Sequence, residues 1–353
     1  MTHLVPDTEP GRAHVADGAG ALETDLGLEL NLAPGRRRHF WVLRRLAFGL
    51  LTLLAVSILV FFATQALPGD AARAILGHTA TVERVALLRH ELGLDRPLVV
   101  QYVSWLSHVA TGRLGDSLVA RVPVTELIGH RLVNSAVLVF LAAIIALPLS
   151  VIAGAVAGSR RDRAFDHGVV TATLGLTAVP EFVLGLILVI LFSTTVFHVL
   201  PGVVLLAPGQ NPLSHPRQLI LPVTTLVLAV FPYLTRLVRG SVIDVYEAEY
   251  VRMARLKGVP ERVVLRRHVL PNALVPAIQG AALTLAYLVG GIVVIEYLFN
   301  YPGLGSALTD AVSSRDLPVI QAIVLIFATA YIVFNLLGDL LTVYVTPRLR
   351  TAD

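Results

Sequence analysis

The chain of 353 residues is 55% hydrophobic and 15% charged, with a formal net charge of +4 and a mean hydropathy of +0.74. This composition indicates an integral membrane protein and excludes an ordinary soluble domain. The sequence contains no cysteine, which excludes disulfide bonds and thiol chemistry.

The first 40 residues form a polar N-terminal region. Acidic residues alternate there with glycine and proline, and no apolar stretch of signal-peptide type is present. We therefore expect a disordered cytoplasmic tail over residues 1–40, followed by a membrane domain over residues 41–350.

Apolar runs long enough to cross a bilayer, about 20 residues each, recur along the rest of the chain. Transmembrane β-strands are much shorter and alternate in polarity, and backbone groups in lipid must be satisfied within the segment, so each run is predicted to be a helix. The sequence therefore predicts an all-α integral membrane protein with six transmembrane helices, at residues 46–66, 134–157, 169–198, 219–238, 274–296 and 319–344.

The basic residues predict the orientation in the membrane. Most of them lie before the first span, in the loops after the second and fourth spans, and after the last span, whereas the two short opposite loops hold only Arg217 and Arg315. Because Lys and Arg accumulate in cytoplasmic loops, we predict a multi-pass protein of the cytoplasmic membrane with both termini inside.

The long loop at residues 67–133 is predicted to lie outside and to contain two short helices. TVERVALLRHELG and QYVSWLSHVATG both have helical periodicity, and GLDRPL separates them.

Two acidic residues in the later spans draw attention because charges in a membrane are costly. Pro180 is expected to kink the third span, and Glu181 beside it either bonds a neighbouring helix or lines a translocation path. Glu296, at the outer end of the fifth span, is expected at the membrane interface.

The cytoplasmic segment 241–272 is predicted to be two helices joined at a glycine. EYVRMARLK is a good helix former, Gly258 suits the position just after a helix end, and Pro260 suits the first turn of a second helix that Pro271 ends. Its basic residues flank apolar ones, which favours docking into the groove of a partner protein. An interfacial helix pair on anionic lipid is the alternative.

Recognisable catalytic chemistry is absent from the sequence. A phosphate-binding loop needs a lysine followed by Ser or Thr, and the only lysine, Lys257, precedes Gly258. The string Gly115-Asp116-Ser117-Leu118 spells an esterase signature, which needs a downstream Asp and His; the last histidine of the chain, His268, is predicted on the opposite face of the membrane, so a turn is expected. His198 and His215 are interpreted as ordinary loop histidines rather than metal ligands.

The segment around Gly258 resembles the coupling loop of binding-protein-dependent ABC importer permeases. That family carries E-A-A, three residues, Gly, nine residues, and I-x-L-P; here Ala254 alone matches E-A-A, whereas Gly258 and Leu270-Pro271 have the family spacing. The peptide and nickel subgroup instead reads Y-V-R-x-A-x-x-K-G and R-H-x-L-x-N-A. This chain matches that pattern at Tyr250, Val251, Arg252, Ala254, Lys257, Gly258, Arg267, His268, Leu270, Asn272 and Ala273.

The resemblance extends over about residues 42–350. Within this range the chain is similar to the first permease type of dipeptide, oligopeptide and nickel importers, which has the long outer loop. Two departures are Arg113 in the family's G-D-L-G and Thr346 in its D-P-R. Further matches are Pro68-Gly69-Asp70, Gln101-Tyr102, Trp105, Pro180, Phe182, Gly185, Glu296, Pro302-Gly303-Leu304-Gly305, Asn335 and Asp339.

The resemblance implies a type I ABC importer transmembrane domain that forms half of a translocation pathway and is not itself an enzyme. The implied partners are a second permease in a heterodimer, two cytoplasmic ATPase domains, an extracytoplasmic solute-binding protein and the lipid bilayer, but no nucleic acid. No cofactor is expected on this chain, because ATP and Mg²⁺ would bind the ATPase. The residues implied in coupling to the ATPase are Tyr250, Arg252, Ala254, Lys257, Gly258, Arg267, His268, Leu270 and Asn272; Pro180 and Glu181 are candidates for the pathway.

The substrate remains open between peptides and nickel or a metal chelate. A secondary transporter or channel would show inverted repeats or a chain of intramembrane ionisable groups, and the sequence has neither. A membrane scaffold without transport activity is the third alternative.

Overall fold

The computed structural model describes residues 34–66, 76, 80–91, 95–207 and 209–345. Within these ranges the regular structure is helical apart from one isolated bridge between Asp116 and Pro123, as the all-α prediction requires. The helices are α1 Pro34–Gln65, α2 Val82–Glu91, α3 Leu98–Ala110, α4 Val124–Ser159, α5 Ala164–Ala178, α6 Glu181–Val189, α7 Pro216–Tyr246, α8 Glu249–Leu256, α9 Glu261–Val263, α10 Leu270–Leu298, α11 Leu304–Ser314 and α12 Leu317–Val345. Two π-helical turns, Ile190–Thr194 and Val264–Val269, continue α6 and join α9 to α10, and Pro212–Ser214 is a 3₁₀ turn.

The membrane-crossing helices match the predicted number. In the described part of the chain, five helices have the length and hydropathy to cross a membrane, and α5 with the helix after it makes a sixth span if the pair is counted as one. The five are Trp41–Gln65, Val124–Ser159, Pro216–Tyr246, Glu261–Leu298 and Leu317–Val345.

The chain divides into two units, one up to Arg45 and one from Leu46. In the first, the Arg45 guanidinium lies 5.4 Å from the centre of the Trp41 ring. Of the tail predicted to be disordered, residues 1–33 lie outside the described residues, whereas residues 34–40 are helical and belong to α1.

The loop predicted at residues 67–133 is shorter than expected. Its two predicted helices are confirmed as α2 and α3, but α4 begins at Val124, ten residues before the predicted span. The amide of Val124 donates to the Gly115 carbonyl at 3.0 Å, which fixes the start of α4 on the preceding turn.

The third span is broken rather than kinked. Val179 and Pro180 are both extended, and the helices on either side, Ala164–Ala178 and Glu181–Thr194, meet at 99°. A proline disfavours the helical conformation of the residue before it and offers no N–H, so the helix stops at this point instead of bending.

Close contact between α4 and α7 holds the centre of the second unit. A Cβ at Gly154 would lie 2.6 Å from the carbonyl oxygen of Thr235, and a Cβ at Gly158 would lie 2.8 Å from that of Arg239. Two glycines four residues apart therefore let the two backbones touch, which is how helices associate in lipid when no hydrophobic force drives them together. α7 also packs against α10, which in turn packs against α12.

A buried ion pair joins α5 to α7 next to this contact. The Arg239 side chain donates two hydrogen bonds to the Asp166 carboxylate, at 2.5 and 2.7 Å, and the Asp166 side chain is only 1% exposed. The fork-shaped guanidinium matches the carboxylate, so this pair fixes the direction in which α5 leaves the bundle.

Glu296 lies in the protein interior and not at the interface, so the expectation for this residue was wrong. Its side chain is fully buried, and its carboxylate accepts hydrogen bonds from Ser135 Oγ at 2.5 Å and from the amides of Gly305 and Ser306 at 2.6 and 3.2 Å. The amides belong to the first turn of α11, where a helix favours a negative charge. Glu296 thus ties α10 to α4 and α11.

The α4–α7 contact predicts opposite effects for the same substitution at two glycines of α4. Gly129→Ala points into open space and should leave stability unchanged or raise it, because alanine is the better helix former. Gly158→Ala should lower stability by about 1–3 kcal/mol, since its methyl group would press on the α7 backbone. Melting temperatures of the purified variants in detergent test this, and equal values would contradict the proposed contact.

Candidate functional site

The segment that follows α7 forms the helix–glycine–helix element that the sequence predicts. α8 ends at Leu256, and Gly258 adopts a left-handed conformation with φ of +76°. The Gly258 amide donates to the Arg255 carbonyl at 2.9 Å, and the Val259 amide donates to the Ala254 carbonyl at 3.2 Å. This pair of bonds is the Schellman motif, which satisfies the last carbonyls of a helix and turns the chain. We call residues 249–272 the knuckle.

The apolar side of the knuckle packs against its own protein. Val251, Ala254 and Val264 are buried in one cluster with Val238 and Val242 of α7. These buried apolar residues hold the knuckle on α7, and only the apolar residues that stay exposed, Met253 and Leu256 among them, can contribute to a docking surface. Ala254 belongs to this packed side.

A polar bridge spans the turn at Gly258. The Arg255 guanidinium donates to both carboxylate oxygens of Glu261, at 3.2 and 2.7 Å, and lies 4.7 Å from the centre of the Tyr246 ring. The hydrogen bonds to Glu261 raise the pKa of Arg255, so this group stays charged. Both side chains are about half exposed, so the bridge adds at most about 1 kcal/mol and acts mainly by fixing geometry.

The carbonyl of His268 is the anchor point of the second half of the knuckle. It accepts from Asn272 Nδ2 at 2.8 Å and from the Tyr250 hydroxyl at 3.4 Å. Tyr250 comes from α8 and Asn272 from α10, so one backbone group connects the two arms. The structure thus brings together Tyr250, His268 and Asn272, three of the residues that the sequence singles out.

Pro271 does not end the second helix, contrary to the sequence prediction. Glu261–Leu298 is one continuous helix of 38 residues. The π-helical turn Val264–Val269 lies just before Pro271 and has a wider hydrogen-bonding ring, which accommodates the missing amide and the bulk of the proline ring. The knuckle is therefore joined directly to the membrane helix α10.

The outward side of the knuckle is basic with apolar residues among the charges. Within the range 249–272, which the structure describes throughout, Arg255 forms the only recorded salt bridge. Met253 and Leu256 are 54% and 76% exposed. We call this outward side the basic face; its exposed cations are Arg252, Lys257, Arg262, Arg266 and Arg267.

Glu181, the pathway candidate, lies at the break in the third span. It opens α6 directly after Pro180, is partly buried, and accepts a hydrogen bond from the Tyr287 hydroxyl of α10 at 3.3 Å. The structure therefore gives it a partner on a neighbouring helix. Glu181 thus bonds α10, the same helix into which the knuckle continues.

The remaining sequence candidates have structural roles. Ser117, in the string that resembles an esterase signature, is buried and donates to the Asp316 carboxylate, which also accepts from the Leu118 amide at 3.1 Å. His198 and His215 line one cavity together with Arg217, whose positive charge opposes a metal ion. In the described ranges, no group of three or more His, Cys, Asp or Glu side chains could hold a metal.

Five membrane-crossing helices, or six with the broken pair counted as one span, and a structured basic element continuous with one of them are the architecture of a multi-pass membrane protein. The model of the "Binding-protein-dependent transport system inner membrane component" family matches residues 146–351, and the model of its N-terminal region matches residues 39–138. The chain belongs to this family, and it is a permease subunit of an ABC importer.

Three relatives illustrate the similarity. A protein of Brucella abortus, provisionally named a peptide transport system permease, is 40% identical over 88% of this chain and 98% of its own length. A provisionally named peptide ABC transporter permease of Sinorhizobium fredii is 36% identical over 88% and 99%. The glutathione transport system permease protein GsiC of Salmonella choleraesuis is 40% identical over 80% and 90%.

The geometry at Gly258 predicts that its conformation, and not the available space, limits substitution. A Cβ at this position would meet no atom within 4 Å. Gly258→Ala should therefore lower the stability of this turn by about 1–2 kcal/mol through the positive φ alone. Gly258→Asn should cost less, because asparagine tolerates the left-handed region. Faster hydrogen exchange of the α8 amides in the alanine variant than in the asparagine variant would verify this; equal exchange in both would contradict it.

Proposed function

We propose that the knuckle couples this permease to a cytoplasmic ATPase subunit. The observation that carries the proposal is the continuity of the knuckle with the pore: its second arm and α10 form one helix. The basic face presents exposed cations and two apolar side chains, which suits a groove lined by acidic and apolar residues. A shift of the docked knuckle would move α10, so closure of the ATPase pair would change the access of the pathway.

The complex implied by this role contains partners that supply what this chain lacks. A second permease completes the pathway as a heterodimer, two ATPase domains bind ATP and Mg²⁺, and a solute-binding protein delivers the substrate. We place both termini and the knuckle in the cytoplasm, on the distribution of basic residues. The opposite side would receive the solute-binding protein at residues 67–133, 199–218 and 297–318.

We propose peptides as the substrate class. The three relatives described above are named as permeases for peptides or for glutathione, itself a tripeptide, which favours peptides over nickel or a metal chelate. Uptake of labelled di- and tripeptides by proteoliposomes containing the full complex tests the proposal, with Ni²⁺ as the competing substrate. ATP-dependent uptake of Ni²⁺ without uptake of any peptide would contradict it.

The coupling role predicts loss of transport without loss of membrane insertion. Gly258→Val should lower ATP-dependent uptake and substrate-stimulated ATP hydrolysis by about tenfold, because a β-branched residue disfavours the left-handed turn on which the knuckle depends. Arg252→Glu should weaken the same contact by reversing a charge on the basic face.

Matched variants separate these effects from general damage. Gly258→Asn keeps the turn and Arg252→Lys keeps the charge, so both should retain most of the uptake. Membrane content and co-purification of the ATPase subunits are measured in parallel. A Gly258→Val complex that assembles, hydrolyses ATP and transports like the wild type would show that the knuckle is not the coupling element.

A further inference from the structure

A group of polar side chains near the middle of α6, α7 and α10 lies outside the knuckle and joins α6 to α10. Glu181 opens α6 at the break in the third span, and Tyr287 and Tyr233 lie near the middle of α10 and α7. The Tyr287 hydroxyl donates to the Glu181 carboxylate at 3.3 Å. Together these residues place one carboxylate and two phenolic hydroxyls at the same depth of the bundle.

The exposure of the two tyrosines indicates that this face does not lie against lipid. Tyr233 and Tyr287 are 45% and 56% exposed on a chain surface that is otherwise apolar at this depth. Tyrosine on a lipid-facing surface is enriched at the membrane–water interface, where its hydroxyl reaches water, and a hydroxyl in hydrocarbon without a partner is costly. A water-filled path accounts for the position of both side chains, and also for the carboxylate beside them.

A cavity of about 320 Å³ lies between α7 and α10, and both tyrosines line it. Its size suits one or two amino-acid residues of a substrate. The Glu181 carboxylate is not part of the cavity lining but lies against α10 next to Tyr287, where a Cβ at Gly291 would approach its two oxygens to 3.0 and 3.2 Å. The cavity is lined by Ala229, Val230, Tyr233, Leu283, Thr284 and Tyr287.

The oxygen atoms of Glu181 and the two tyrosines favour an ammonium group over a metal ion as the bound cation. An ionised carboxylate is acceptor-only, and a phenolic oxygen that donates its proton to a carboxylate can still accept a bond. No Lys, Arg or His pairs with Glu181 in the part of the chain that the structure describes. A metal ion needs more ligands than one carboxylate, whereas an ammonium group needs up to three acceptors.

We propose that Glu181, Tyr287 and Tyr233 form the subsite that holds the protonated amino terminus of a peptide on its way through the pathway. This inference rests on the proposed peptide function. It adds which end of the peptide the permease itself recognises. Glu181 supplies the charge, and the two hydroxyls supply the further acceptors that an ammonium group leaving water requires.

Two forms of one dipeptide, with a free and with an N-acetylated amino terminus, test this subsite. Uptake is measured in proteoliposomes with the full complex, and expressed per molecule of peptide-loaded solute-binding protein, so that selection by the binding protein does not enter. The wild type should favour the free form. Glu181→Gln should lower transport of the free form by about tenfold and leave the acetylated form unchanged, because only the free form loses a charge-assisted bond.

Further variants distinguish recognition from packing. Glu181→Asp keeps a carboxylate and should restore most of the transport of the free form, a comparison that needs no acetylated peptide. Tyr287→Phe should lower transport of the free form by about threefold, since one neutral hydrogen bond is lost. Glu126→Gln and Tyr331→Phe are the controls: both side chains are exposed on other helices, and neither change should alter the preference.

The outcomes separate this subsite from the function on which it rests. Equal loss of both peptide forms in Glu181→Gln, or no loss of either, with a normal amount of assembled complex, would overturn the subsite and leave peptide transport standing. Failure of Glu181→Asp to restore transport beyond the level of Glu181→Gln would do the same. A wild-type complex that imports neither form would overturn the peptide function and the subsite together.

Discussion

The contact of α4 with α7 through Gly154 and Gly158 is the constraint on which the other parts of the structure depend. Lipid offers no hydrophobic gain when two apolar helices meet, so association relies on close packing, and these two positions allow the backbones themselves to meet. α7 then provides the surface for α10 on its other side, for the α5 ion pair at Arg239, and for the knuckle at its end. A displacement of α7 from α4 would therefore disturb the contact with α10, the ion pair with α5 and the packing of the knuckle.

The two candidate sites are related through this scaffold. The knuckle packs on the end of α7 and continues into α10, while Glu181 bonds Tyr287 farther along α10. The same helix therefore connects the surface proposed to receive the ATPase with the group proposed to hold the substrate. In an alternating-access transporter the ATPase-binding surface and the substrate-binding group must respond to one another. A shared rigid helix provides that connection without a chain of intermediate contacts.

Hydropathy and glycine chemistry predict much of this molecule, because both are local properties. The six apolar segments and the left-handed turn at Gly258 follow from composition and from single residues. What the sequence misses depends on contacts between distant segments. Glu296 is an acidic residue near a helix end, which favours an interfacial position, and only the first turn of α11 and Ser135 make its burial tolerable. Pro271 is a helix breaker whose effect the π-helical turn before it removes, a feature that propensity does not register.

The π-helical turn between the knuckle and α10 has a mechanical consequence. A helix of 29 residues is about 43 Å long, at about 1.5 Å per residue. Because the π-helical turn keeps the second arm of the knuckle and α10 in one helix, a tilt of about 10° imposed at the knuckle moves the far end of α10 by about 7 Å and the ring of Tyr287 by about 4 Å. A small tilt at the protein surface thus becomes, in the interior of the membrane, a displacement larger than the width of a water molecule.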